Sequence, residues 1–134
     1  MNKQEARKFI RSHIRKRGHQ SVTVTDRLIL KWWHIFNVAV FHGQLHKPYL
    51  ITITKLRKAW AWAQQSCIKG QINIIICPTF KTRKLFLSVL IHEMVHAWEM
   101  QHHSKMGHGK RFFKWGSRIK WTTGLVLSQK VAEG

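Results

Sequence analysis

The sequence predicts an α+β fold, a small and mainly antiparallel three-stranded sheet packed on one central helix with further helices flanking it. Three observations carry this reading. Residues 85–98 form an apolar run broken by His92, Glu93 and His96, too long for one strand and punctuated at helical spacing. Three short runs, 49–54, 59–63 and 71–77, alternate or are rich in β-branched side chains, and Pro48, Gly70 and Pro78 punctuate them. Residues 26–42 place Leu28, Trp32, Ile35, Phe36, Ala39 and Val40 on one apolar stripe.

In chain order, residues 1–20 hold seven Lys or Arg against one acid, Glu5, with Ala6, Phe9, Ile10 and Ile14 at helical spacing. A basic amphipathic helix or arm is expected there, suited to a phosphate backbone or an anionic membrane. Residues 21–134 are read as one domain. Thr23 or Thr25 caps the second helix, Asp26 to about His42, and Gly43 ends it. Trp33 and His34 fall nearer its edge. Strands follow at Tyr49–Thr54, at Ala59–Ala63 with Trp60 and Trp62 on one face, and at Gln71–Cys77 with Ile72, Ile74 and Ile76 on one face. The two Trp are expected in the core, with base stacking as the functional alternative. Gln64 to Gly70 is read as a turn or hairpin. Thr79 or Thr82 starts the central helix, which runs to about Gln101. Lys81, Arg83 and Lys84 at its start oppose the helix dipole and suit an anion nearby. Lys110–Trp121 is read as a last helix with Phe112, Trp115 and Ile119 inward. The tail from Thr122 to Gly134 adds a strand at Leu125–Leu127 or frays.

Composition bounds the function. The chain has 134 residues, 44% of them apolar, so it is not disordered and supports one core. No apolar stretch reaches the length of a membrane span, and no signal-peptide core follows the basic start. A cytoplasmic location is expected. Cys67 and Cys77 have no metal-pair spacing and are read as free, largely buried thiols. Twenty-four Lys and Arg against five acids leave a net charge of +19, which favours a polyanionic partner, nucleic acid above all. Arg11, Arg15, Lys16 and Arg17 at the start, and Lys110, Arg111, Lys114 and Arg118 near the end, are the candidate nucleic-acid contacts.

The chemistry lies in His92-Glu93-Met94-Val95-His96. Residues four apart on a helix lie about 40° apart around the axis, so both imidazoles can reach one metal ion. Glu93, about 100° round from His92, is placed to act as general base on the attacking water rather than as a ligand. A catalytic zinc needs a third protein ligand. Three candidates stand open. His108 sits in the flexible Gly107-His108-Gly109, whereas His102 and His103 follow closely on a helix that Glu99 does not break.

His92-Glu93-Met94-Val95-His96-Ala97 followed by Gly107-His108-Gly109, Phe112 or Phe113 and Trp115 resembles the SprT-like (Spartan-type) metallopeptidase domain. Asn37-Val38-Ala39-Val40-Phe41-His42-Gly43-Gln44-Leu45 is similar to the family's first helix, and Gly70–Ile76 with Cys77-Pro78-Thr79-Phe80 to the strand before its central helix. The likeness covers roughly residues 24 to 120. It implies a zincin-like fold and one Zn²⁺ held by His92, His96 and His108. It also implies an endopeptidase that acts on protein bound or crosslinked to DNA, single- or double-stranded, and an edge strand that pairs with substrate; the chain is expected to be a monomer. No C-x-x-C pair follows residue 110, so the family's frequent zinc ribbon is not expected. The small size would suit a bacterial or bacteriophage version, DNA-associated in an infected cell. The alternative is a basic nucleic-acid-binding module with a structural zinc and no proteolysis.

Overall fold

The computed structural model describes residues 1–127. Residues 128–134, the end of the tail, lie outside them. The order of elements is α1 (Lys3–Arg17), β1 (Val22–Thr23), α2 (Asp26–Val40), β2 (Leu50–Ile53), β3 (Ala61–Gln65), β4 (Ile72–Ile76), β5 (Thr79–Phe80), α3 (Arg83–His103), α4 (Lys110–Phe113) and α5 (Gly116–Thr123). The fold is α+β.

The three-stranded sheet has the order β2-β4-β3. It is mixed rather than mainly antiparallel: β3 pairs antiparallel with β4, but β2 runs parallel to it. The chain leaves β2, forms β3 on the far side, and returns up the middle as β4. Opposed residues build an inner face of two rows, Ile51–Ile74–Ala63 and Ile53–Ile76–Ala61. Ile74, Ile76 and Ala61 are fully buried. The small Ala61 and Ala63 leave room for α3, which packs on β3. The outer face carries Leu50 and Trp62, both about half exposed. Trp60 and Trp62 therefore part company. Trp60 precedes the ladder and packs on Phe80 with centroids 5.1 Å apart, while Trp62 faces solvent. Gln64 and Gln65 extend β3 into the expected turn, and the rest of that stretch closes a hairpin onto β4.

A second sheet, unforeseen from sequence, pairs β1 with β5. It ties the chain after α1 to the start of α3. The first amides of α3 are all met within the protein: Arg83 N–H donates to the Gln20 carbonyl at 2.6 Å, Lys84 N–H to that of Gly18 at 2.9 Å, and Leu85 N–H to Oγ1 of the cap Thr82 at 3.1 Å. The basic residues here thus flank a helix start whose donors are already taken, and an anion is not needed to satisfy it.

Helix α1 packs along α2, with Ala6 and Ile10 fully buried. Asn2 and Glu5 form a capping box at its start. Thr25 caps α2. Trp33 is buried on α2 rather than at its edge. After Phe41, left-handed His42 and Gly43 turn the chain, with φ of 58° and 72°. The Asn37 amide holds the returning loop through two bonds of 3.0 Å to the backbone of Leu45. Gln101 of α3 holds it from the other side, bonding Gln44 O and His46 N–H at 2.8 Å each.

The expected last helix is two: α4 and α5 are separated at Lys114–Trp115, yet Phe112 and Ile119 are buried as the stripe predicts. Leu125 and Leu127 are buried but form no strand. The thiols are free, as expected, but only Cys77 is buried; Cys67 is exposed. Among the described residues, no helix is long and apolar enough to cross a membrane.

Candidate metal centre

Helix α3 is apolar on almost every side and runs through the middle of the molecule. Its interior position fixes the backbone on which His92, Glu93 and His96 stand. His92 and Glu93 are fully buried, and His96 nearly so. A carboxylate and two imidazoles inside an apolar core are costly to hold without partners or an ion.

The helix continues past the expected Gln101 to His103 and is stopped by Ser104, left-handed at φ 56°. The chain then doubles back, and Gly107-His108-Gly109 returns an imidazole to α3. Nε2 of His108 lies 3.1 Å from Nε2 of His92 and 3.1 Å from Nε2 of His96. One ring nitrogen cannot donate to one neighbour while accepting from another, whereas three lone pairs converging on one cation suits the arrangement. Nitrogens bound to one tetrahedral ion at roughly 2.0–2.1 Å stand about 3.3 Å apart, close to the spacing here. These three His can hold a metal ion. An all-imidazole set suits zinc, copper, iron or nickel rather than magnesium or calcium.

The other candidates point elsewhere. His102 lies flat on Trp98, centroids 4.6 Å apart, with Nδ1 against the Trp98 carbonyl at 2.9 Å. His103 meets the edge of the same indole at 5.3 Å. His34, His42 and His46 are exposed.

One residue of the centre escaped the sequence reading, and a second was read only as an inward side chain of the last helix. Glu99, buried one turn beyond His96, accepts from His96 Nδ1–H at 2.9 Å. That bond puts the ring's proton on Nδ1 and leaves Nε2 as the donor atom. The same carboxylate oxygen meets the Gly107 N–H at 3.4 Å. Phe112, fully buried, touches all three imidazoles with centroids 4.8 to 4.9 Å away. The Glu three residues after the second His was the only local signal for the first. For Phe112 the signal was its place at the start of a new apolar stripe.

The basic candidates fall into separate groups. Lys110, Arg111 and Lys114 line a cavity of about 450 Å³ with Glu99, Lys105 and Met106, beside the His108 loop. Arg111 and Lys114 also border a second cavity of about 430 Å³, lined by Trp98, His103, Trp115 and Arg118. Arg118 stands 5.2 Å over the Trp115 ring. Arg11 lies on α1 and donates to the Trp121 carbonyl. Arg15, Lys16 and Arg17 form the exposed last turn of α1.

None of the curated proteins compared with the chain matches it. A family model described as the SprT-like family matches residues 29–131.

Proposed function

The chain belongs to the SprT-like family, and on that premise we propose that it is a zinc-dependent endopeptidase of zincin-like arrangement acting on DNA-bound or DNA-crosslinked protein. The observation that carries the proposal is the convergence of three imidazole Nε2 atoms beside the buried Glu93. His92, His96 and His108 would hold one Zn²⁺. When bound, the ion supplies Lewis acidity that polarises a scissile carbonyl and acidifies water.

The remaining work falls to the chain's own groups. The Glu93 carboxylate takes a proton from the attacking water and returns it to the leaving amine. Glu99 keeps the His96 proton on Nδ1, so Nε2 stays a donor. Phe112 walls the imidazoles from solvent on its side. Strand β3 is an open edge of the sheet and packs on α3, so an extended substrate would add there by backbone hydrogen bonds. The +19 charge supports DNA as the recruiting polymer.

The test is cleavage of a basic, DNA-bound protein by the zinc-loaded chain, with and without DNA, beside Glu93→Gln. Cleavage that needs Glu93 and rises with DNA upholds the proposal. DNA binding with no cleavage, unaltered by Glu93→Gln, would overturn the peptidase and leave a binding module with a structural metal.

A further inference from the structure

Helix α1 lies ahead of the residues the family model matches, so its surface is not accounted for by membership. It packs against α5, where Trp121 is 62% exposed, the most exposed of the molecule's described Trp side chains. A single exposed indole needs no explanation by itself. This one has a fixed pose and a particular setting. The Arg7 guanidinium lies 3.8 Å from its ring centroid, and Arg11 donates to its carbonyl. Lys3, Gln4, Arg7 and Thr122 complete a recess of about 320 Å³ around the ring. From there the exposed Lys8, Arg11 and Arg15 run along α1 at spacings of three and four, a cationic stripe about 10 Å long. The single acid of the helix, Glu5, is engaged in the cap with Asn2.

We propose that Trp121, Arg7 and the Lys8–Arg11–Arg15 stripe form a binding site for single-stranded nucleic acid. An unpaired base stacks on the open part of the indole, and the following phosphates lie along the stripe. Stacking on a lone exposed ring requires a base free of its duplex neighbours, which sets the strand preference. Gln4 in the recess offers a hydrogen bond to a base edge. A lipid surface is the competing partner for a basic helix. It would need a broad apolar face turned outward, but Ala6 and Ile10 of α1 are spent in the core, and Phe9, about a third exposed, packs on Trp32 and His13.

The inference rests on the DNA-directed part of the proposed function, not on proteolysis, and its test measures binding alone. A short fluorescein-labelled oligothymidylate is titrated with the full chain at physiological salt, beside a duplex of equal length and vesicles of phosphatidylglycerol. Trp121→Ala should weaken oligothymidylate binding about 5- to 100-fold, with Trp121→Phe recovering most of it. Lys8→Gln with Arg15→Gln should lower the salt slope by about 0.7 for each lost contact. These two side chains are exposed, so the pair carries the test if Trp121→Ala fails to fold. Unchanged oligothymidylate affinity and salt slope in these variants would overturn the site. So would a duplex preference, or Trp121-dependent binding to the vesicles alone.

Discussion

One oxygen of Glu99 reaches two parts of the centre: it accepts from His96 Nδ1–H at 2.9 Å and meets the backbone N–H of Gly107, the residue before His108, at 3.4 Å. A single carboxylate thus sets the tautomer of one imidazole and steadies the loop that carries another. Glu99→Ala should lower zinc affinity about 10- to 100-fold, read by competition with a chromogenic chelator. Glu99→Gln keeps an acceptor oxygen and should lose less. Equal affinity in wild type and Glu99→Ala would reduce the residue to packing.

Phe112 is the floor of the centre, so its removal should act twice. Phe112→Ala should cost about 3–5 kcal/mol of folding stability in urea titration and also weaken zinc binding. Phe113, its exposed neighbour in sequence, should change stability by no more than about 0.5 kcal/mol when replaced by Ala.

Metal and stability should be linked through the loop ligand. At a free zinc level of about 100 times Kd, the chain should gain about 2.7 kcal/mol over the chelated form. A thermal melt with and without EDTA reads this. In His108→Ala the zinc-dependent part of the shift should largely vanish.

His13 should give the fold a pH dependence of its own. Its pKa lies below the usual 6.5 because burial against Trp32 disfavours the charged ring, with the cations Arg83, Lys31 and Arg17 adding to the effect. The unfolded chain therefore takes up this proton first as pH falls. The contribution to stability is full above 6.5, and it is lost as pH drops through 6.5 toward the lower folded value. His13→Phe, which keeps a ring against Trp32, should flatten the decline in Tm between about pH 7 and 5. A parallel decline in both proteins would assign the effect to other groups.

What the sequence made legible was what a single element decides. The His92–His96 spacing, the α2 stripe and the Thr caps of α2 and α3 each depend on residues within one or two turns; both helices form where expected, and Thr25 and Thr82 are the caps out of the two Thr offered for each. The direction of β2 was hidden because it is set by the route of residues 54–71, not by its own alternation. The β1–β5 pair is two residues long on each side, too short for any periodicity. The break between α4 and α5 falls inside a stripe that fits one helix as well as two. The fates of Trp60 and Trp62 turned on where the ladder begins. Glu99 looked only like a helix former, because its role depends on a loop returning from beyond the helix end.

The unequal supply of the three imidazoles has a kinetic consequence. His92 and His96 are set on a rigid interior helix and form a ready chelate pair, whereas His108 arrives on a short tether beyond Ser104. Capture of an ion would then proceed by a two-point encounter followed by ring closure, the tethered imidazole acting at high effective concentration. Its escape would begin by unlatching the tether, a local opening that leaves α3 intact. The lifetime of an ion held there would accordingly be a property of residues 104–109, and zinc exchange should run faster than the domain unfolds.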